Sequence, residues 1–518
     1  MAFDPTASRT TFDQALRAYR AGDRTGARRQ VDALLARAPQ DAQARFLLAR
    51  LCLESGDPAA AVQHLQQITA EKPKLADAWL MLAMIQTRAE DHAGAVRTLR
   101  AANNAAPNHT GILTNLGALL GETGQHQEGR NMLRAALRLD PRAAATHFNL
   151  GRLLKEMGDA EGALAHYRQA ISLQPDFVQA HHNLGNLLLD MDRPGEAIEA
   201  FRAEARLRLD PKAPADREPR LFRKTSAGKL RHDIEQLRYL RGQGLLNAAY
   251  ESTIAEYEAT LAALPTPKPG ETMVDIPRDR LAKLAPTYNR LIHWDAGAAM
   301  AGPALNPALD LAAIEQMYRS HAPGIAWFDD LLTPQALAAL RRFCLTSTMW
   351  NEFRYSNGYL GAFLDRGFAC PLLLQIAREL CTALPGIFAG HPIAKMWAFK
   401  YDSTLSGIPI HADFAAVNVN FWLTPDEANL NPDGGGLGVW DREAPLDWDF
   451  AAYNKNEPAI RQFLKDSGAR MINVPHRQNR AVMFNSDLFH ETGTLNFKDG
   501  YENRRINVTM LFGRRANG

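Results

Sequence analysis

The chain has 518 residues, 46% of them hydrophobic and 22% charged, which is room for roughly two to four globular domains. Lys and Arg number 59 against 57 Asp and Glu; this formal net charge of +2 points to neither nucleic acid nor an anionic membrane as partner. Four scattered cysteines, at 52, 344, 370 and 381, exclude a CxxC zinc site or a disulfide framework, and the first residues lack the apolar core of a signal peptide, so a cytoplasmic protein is expected.

The first two-fifths repeats with a period of 34. Prolines stand at 5, 39, 73, 107, 141 and 175. Three further columns keep the phase: Ala15, Ala49, Ala83, Gly117, Gly151 and Gly185; Gly22, Gly56, Glu90, Gly124, Gly158 and Asp192; Ala27, Ala61, Ala95, Gly129, Ala163 and Ala197. Each unit reads as a helix with a small residue where a neighbour crosses, a Gly or acidic turn, and a second helix ending near Pro. Stretches such as "ATHFNLGRLLKEMGDAEGALAHYRQAISLQP" resemble tetratricopeptide repeats, with six units over residues 6–210. The resemblance implies an all-α solenoid whose concave face holds a peptide or protein. Asn115, Asn149 and Asn183 recur at one helical position, either as an amide ladder gripping an extended peptide backbone or as solvated groove residues.

After Pro211 the period is lost in "KAPADREPRLFRKTSAGK", a connector. Two amphipathic stripes follow, Leu230, Ile234, Leu237, Leu240 and Tyr250, Ile254, Tyr257, Leu261, expected to cap the last apolar face of the solenoid. Connector and capping helices together span 211–265, and the proline-rich "LPTPKPGE" at 264–271 reads as a stiff boundary before a domain at 266–518.

Beyond it the character changes. Helical "TPQALAALRRFCLT", with Thr333 as N-cap, precedes short runs rich in aromatic and β-branched residues: "KMWAFKY", "VNVNFWLT", "GLGVWD", "RAVMF" and "INVTMLFG". Several short strands with flanking helices predict a β-sandwich or open barrel, the jelly roll (double-stranded β-helix) being the natural candidate. The chain is therefore read as multidomain, an all-α repeat solenoid followed by that β domain.

In "HADFAAVNVNFWLT" His411 and Asp413 head an alternating, half-buried strand, and positions i and i+2 share a face. His490 follows the strand-like "RAVMF", 77 residues after Asp413. Two imidazoles and one carboxylate, with no fourth protein ligand in the pattern, form the facial set that holds ferrous iron and leaves positions open for chemistry. Asn418 and Asn420 alternate with Val417 and Val419; they either face that cavity and orient a ligand or satisfy strand backbone. Trp422, Trp440 and Trp448 read as core or cavity wall, with Trp422 also placed to touch a substrate, and "NPDGGGLGVWD" as a turn into a strand.

This pattern, His-x-Asp, a distant His and an Arg leading into a later strand in "RRINVTMLFG", resembles the 2-oxoglutarate- and iron(II)-dependent dioxygenases of the prolyl-hydroxylase-like branch, over residues 320–515. The resemblance implies iron(II), 2-oxoglutarate and O2 as cofactor and co-substrates, a metal site of His411, Asp413 and His490, Arg505 on the distal carboxylate of 2-oxoglutarate, and Tyr401 beside it. Arg504 should point to the other face. Gly407 stands four residues before His411 where the family often has glycine seven before, and 15 residues separate His490 from Arg505, so the loops differ from the family's. A repeat array fused to such a domain implies hydroxylation of a peptide or protein residue, an architecture similar to prolyl 3-hydroxylases. The alternatives are a small-molecule hydroxylase whose repeats serve assembly, a metal enzyme that does not use 2-oxoglutarate, and a non-catalytic scaffold.

Overall fold

The computed structural model describes residues 5–214, 219–268, 270–355, 358–405 and 407–515. Residues 215–218 of the expected connector, Pro269 of the expected linker and the last three residues of the expected domain lie outside them. Contacts divide the chain into two units, 1–180 and 181–518.

The 34-residue period is a series of six helical hairpins: α1 (Pro5–Arg20) and α2 (Arg24–Arg37), α3 (Ala42–Glu54) and α4 (Pro58–Glu71), α5 (Ala76–Arg88) and α6 (His92–Ala105), α7 (Thr110–Glu122) and α8 (His126–Leu139), α9 (Ala144–Glu156) and α10 (Ala160–Leu173), α11 (Val178–Asp190) and α12 (Pro194–Leu209). Each column has a physical cause. The turn position is left-handed in every hairpin, with φ from +79° to +85° at Gly22, Gly56, Gly124 and Gly158, +62° at Glu90 and +53° at Asp192. The residue after it caps the second helix: Asp23, Asp57, Asp91 and Asp159 accept from the backbone N–H three residues on. Gln125 and Arg193, in the same column, make no such bond. The small columns are closest-approach points, since a Cβ on Gly117 would stand 2.7 Å from Leu133 and one on Gly151 2.9 Å from Tyr167.

In the unit 181–518, α13 (Pro219–Arg223), α14 (Ala227–Gly242), α15 (Tyr250–Ala262), α16 (Arg278–Leu284), α17 (Leu311–Ser320), α18 (Pro334–Thr346), α19 (Pro371–Ala383), α20 (Pro385–Phe388), α21 (Phe450–Lys455) and α22 (Glu457–Asp466) accompany the strands. The expected role of α14 as a cap on the last repeat is corrected. Its stripe Leu230, Ile234, Leu237 and Leu240 is buried, but it packs with α15, α18 and the turn Tyr501–Asn503, and Gln236 donates to the carbonyls of Leu345 and Ser347. The last repeat helix, α12, is covered instead by α19 and the turn Leu364–Arg366. Strands β1 (Lys224–Thr225) and β2 (Val274–Asp275) pair across the proline-rich stretch and tie its two flanks together.

The remaining strands are β3 (Ile325–Phe328), β4 (Leu360–Phe363), β5 (Ile393–Lys400), β6 (Thr404–Leu405), β7 (Val417–Trp422), β8 (Leu437–Glu443), β9 (Met471–Val474), β10 (Ala481–Asn485), β11 (Leu488–Glu491), β12 (Leu495–Asn496) and β13 (Ile506–Phe512). They form a six-stranded antiparallel sheet of order β3-β10-β7-β13-β5-β4, a three-stranded sheet β11-β8-β9 and a ribbon β12-β6, none of them closed. Ile325, Trp422, Val482 and Phe484 of the large sheet meet Leu437, Val439, Val474 and Leu488 of the small one in a single core.

Two expectations for β7 change. It begins at Val417, not at His411, because the backbone N–H groups of residues 411–416 bond to four separate places: His411 to His490, Ala412 to the Tyr453 carbonyl, Asp413 to that of Ser486, and Ala416 to that of Phe512. It is also buried along its whole length rather than on one face, its Trp422 packing in the core shared with the small sheet. Among the described residues no helix is long and apolar enough to cross a membrane.

The cap column generates a first prediction. Gln125→Asp should supply the missing N-cap of α8 and stabilise the helical hairpins by about 1 kcal/mol, while Asp91→Ala should destabilise them by a similar amount, both read as shifts of the far-UV circular dichroism unfolding midpoint.

Candidate functional site

His411, Asp413 and His490 come together: one ligand atom from each lies within 4.8 Å of the others. The backbones of the two histidines form an antiparallel bridge, His411 N–H to His490 O at 3.0 Å and the reverse at 2.8 Å, which sets their rings 4.4 Å apart. Each imidazole has its tautomer fixed from behind. His411 Nδ1 meets the Pro409 carbonyl at 2.8 Å and His490 Nδ1 meets that of Leu488 at 3.1 Å. A carbonyl only accepts, so the neutral rings carry their proton on Nδ1 and present Nε2 as a lone pair. Burial, then the neighbouring His411, holds His490 well below the ordinary histidine range, in the form a cation requires. Burial pushes the Asp413 carboxyl up, with His411 and Asn418 working in the opposite direction. Two neutral imidazoles and a carboxylate, backed by carbonyls, are a donor set that fits ferrous iron.

The aspartate is held in turn. Asn418 Nδ2 donates to Asp413 Oδ2 at 2.7 Å, and Asn420 Nδ2 donates to Asn418 Oδ1 at 2.7 Å. On β13, Asn507 Nδ2 and Thr509 Oγ1 both donate to Asn420 Oδ1, at 2.8 and 2.7 Å. Of the two roles open to Asn418 and Asn420, satisfying strand backbone is not the one their side chains take; they bond to side chains on the inner sheet face. Asn507 and Thr509 escaped the sequence reading, although they alternate with Ile506, Val508 and Met510 just as the β7 asparagines alternate with valines.

Farther along that face lies Arg505, 1% exposed. Its Nε donates to the Gly435 carbonyl at 2.6 Å and its Nη2 to that of Gly436 at 3.3 Å, while Nη1 is buried with no partner. The guanidinium lies 4.8 Å from the ring centre of Tyr401 and 5.6 Å from that of Trp422. Among the described residues no carboxylate pairs with Arg505. The glycine turn has its reason here: Gly435 is at φ +73°, and a Cβ on Gly436 would stand 1.9 Å from the Val474 carbonyl, so only glycines let these carbonyls face the guanidinium. Arg504 turns away to the opposite face, bidentate on Glu235 and 3.2 Å from Asp402.

Around Arg505 other buried polar atoms lack partners: Tyr401 Oη, Trp422 Nε1, His476 Nδ1 and Asn507 Oδ1. Tyr401 is fully buried, and burial raises its phenol, Arg505 acting in the opposite direction. Trp422 belongs to the intersheet core, with its indole N–H unspent. His476, which no strand pattern flagged in the sequence, donates from Nε2 to the Thr424 carbonyl at 3.1 Å and edges the Trp422 ring. Burial first and Arg505 second lower its pKa to about 3. A buried cation with a free N–H and no acid, with the unspent O–H of Tyr401 and N–H of Trp422 beside it, fits the far carboxylate of a dicarboxylate such as 2-oxoglutarate.

The other expected residues behave differently. Trp440 and Trp448 flank the apolar cluster of Ile410, Ala412, Tyr453 and Phe489 that backs the His411 loop. Gly407 has φ +86°, and a Cβ there would stand 1.8 Å from the Thr492 carbonyl, so that loop turns where the backbones touch. In the repeats Asn115 is exposed and donates to the Gly111 carbonyl of its own helix at 2.8 Å; Asn149 and Asn183, each likewise sixth in its helix, are half-buried. A second His–acid cluster, His182, Glu204 and Asp365, also lies within 4.8 Å. Its carboxylates already face cations, Arg208 at 2.9 Å from Glu204 and Arg366 at 3.9 Å from Asp365, so it is an ion-pair network rather than a metal centre.

Comparison with known proteins agrees on the repeats. Models of the tetratricopeptide repeat match residues 12–76, 53–120 and 114–155, and a TPR repeat model matches 151–192. Residues 12–192 are thus a tetratricopeptide array. Similar solved structures include TTC0263, a thermophilic TPR protein of Thermus thermophilus (21% identity, 35% of this chain and 99% of that one, TM-score 0.29). Two others are YrrB, a TPR protein with an unusual peptide-binding site (21%, 33% and 89%, 0.29), and MamA (19%, 30% and 91%, 0.28). No curated protein matches the chain.

The environment of His476 sets a pH dependence. Its folded pKa, about 3, lies below the unfolded value of about 6.5. The unfolded chain therefore takes up a proton that the folded one refuses, and stability falls as pH drops below 6.5. His476→Gln, which keeps a donor for the Thr424 carbonyl, should shrink the loss of unfolding free energy between pH 7 and pH 5 by about 2 kcal/mol, measured by urea denaturation at the two pH values.

Proposed function

We propose that this chain is an iron(II)- and 2-oxoglutarate-dependent dioxygenase that hydroxylates a C–H bond of a peptide or protein residue recruited by its tetratricopeptide array, in the cytoplasm. In this reading the two facing sheets are the walls of a double-stranded β-helix, residues 266–518 form the oxygenase domain and residues 6–210 the recruiting array. Bound iron(II), with 2-oxoglutarate and O2, would supply an oxidant that converts C–H to C–OH, with succinate and CO2 as co-products.

The chain's own residues account for the rest. His411 and His490 offer Nε2 lone pairs, Asp413 a carboxylate, and no fourth protein ligand closes the site among the described residues. Arg505 pairs a far carboxylate through Nη1, with Tyr401 Oη and Trp422 Nε1 at hand as further donors. Phe484, 4.9 Å from the His490 ring, and Val482 on the same face keep water from the reacting end.

The observation that carries the proposal is Arg505, a buried guanidinium with no acid of its own on the same sheet face as the His-Asp-His cluster. A non-catalytic scaffold has no use for that uncompensated charge, nor has a metal enzyme without an anionic co-substrate. The array supports a polypeptide target, since helical repeats present surfaces for other chains.

Anaerobic titration with iron(II) and 2-oxoglutarate should give the weak visible charge-transfer band of the chelate in the wild type and none in His411→Ala. Arg505→Lys, which loses the fork geometry, should raise the 2-oxoglutarate requirement about 10- to 100-fold. A wild type without the band, or variants that leave it unchanged, would sink the proposal. For recruitment, the triple change of Asn115, Asn149 and Asn183 to Ala should depress turnover of a polypeptide substrate while sparing its uncoupled decarboxylation of 2-oxoglutarate; equal loss of both would assign the array a structural role.

A further inference from the structure

Resting on the metal-centre reading above, we propose that Thr509, Asn507, Asn420 and Asn418 form a one-way hydrogen-bond relay whose task is to position Asp413 for the metal. None of the four would touch the metal; they are positioning residues that act through the aspartate.

The direction of the relay follows from chemistry. An ionised carboxylate only accepts, so Asn418 must turn its NH2 toward Asp413 Oδ2, 2.7 Å away. Its amide oxygen then faces back and needs a donor, which fixes Asn420 with its NH2 forward, 2.7 Å from Asn418 Oδ1. Asn420 Oδ1 needs donors in turn. Thr509 Oγ1 supplies one at 2.7 Å and Asn507 Nδ2 another at 2.8 Å, and Asn507 Nδ2 also reaches Thr509 Oγ1 at 3.0 Å. Asn507 heads the relay as a donor only, and Thr509, Asn420 and Asn418 each accept from behind and donate ahead, so the dipoles add toward one carboxylate oxygen and no amide can flip without breaking two bonds.

The relay runs across strands. Thr509 and Asn420 are direct partners in the β13–β7 register, with Asn507 opposite Trp422, so the sheet itself sets the spacing. All four side chains are at most 6% exposed. The opposite face of β7 in the same stretch is Val417, Val419 and Phe421, entirely apolar. If this face needed only to pack, apolar residues would serve it without a network that must be satisfied at every link. A carboxylate held by partners in turn held by others is what makes a metal ligand rigid, and losing such outer partners weakens metal binding about 10- to 100-fold.

The test reads metal binding rather than turnover. Apo protein is titrated anaerobically with Co(II), without 2-oxoglutarate, following the d–d absorption. Asn420→Leu, which cuts the relay without touching Asp413, should weaken Co(II) binding about 10- to 100-fold and shift the band. Thr509→Val should weaken it several-fold, and Thr509→Ser, which restores the donor, should bind within twofold of wild type. Circular dichroism unfolding of each variant checks the fold, and Thr509→Val, nearly isosteric, serves where Asn420→Leu unfolds. Thr509→Val with wild-type affinity and band overturns the relay. A wild type that takes up no Co(II), or His411→Ala that binds as wild type, overturns the metal-centre reading instead.

Discussion

The structure of the β domain turns on a charge buried without a counter-charge. Taking a guanidinium out of water costs several kcal/mol, and a chain normally offsets that with a carboxylate. Here the offset is partial: two glycine carbonyls, two aromatic rings within 5.6 Å, and one N–H left over. Neighbouring Arg504 shows the ordinary solution, bidentate on Glu235. Two adjacent arginines on opposite faces of one strand end are thus treated oppositely, one neutralised within the chain and one left without an acid among the described residues. The glycine turn, the close pass at Val474 and the unspent donors of Tyr401 and Trp422 all follow from keeping that second arginine open.

The same logic orders the His-Asp-His end. Backbone carbonyls fix both histidine tautomers, and the asparagine chain fixes the carboxylate, so each ligand is set by an atom behind it. Between the two ends the inner sheet face is polar, from Asp413 through Asn418 and Asn420 to Asn507, two residues on from Arg505. From Asp413 to Thr509 the polar groups of this core form a connected network, with the apolar packing of Trp422, Val482 and Phe484 beside them.

How much of this could be read from sequence depended on the range of the cause. The repeats were legible because a left-handed turn, a helix cap and a close helix crossing are each decided within a few residues and recur every 34. The strands were legible from their β-branched and aromatic runs, and His411, Asp413, His490 and Arg505 from their order along the chain. What failed depended on distant partners. Residues 411–416 looked like strand because alternation continues through them, yet their backbone is claimed by β11, β13 and the carbonyls of Tyr453 and Ser486. β7, read as half-buried, is buried along its whole length, and α14 chose its neighbours through Gln236 and two carbonyls more than a hundred residues away. His476 acquires meaning only through Trp422 and Arg505, neither of which is near it in sequence.

The end of the repeat array follows from the same reasoning. A solenoid must cover the apolar face of its last helix, and α12 meets that need with α19 and the Leu364–Arg366 turn. Arg202 of α12 donates to the Ala369 carbonyl at 2.9 Å and lies 4.3 Å from the ring centre of Trp294, while Glu204, fully buried, is bridged by His182 and Arg208. These are polar, directional contacts at the edge of an apolar face. They specify one partner surface where a general hydrophobic cap would accept several, which is why α11 and α12 keep the sequence period of the array but belong, by their contacts, to the unit that carries the sheets.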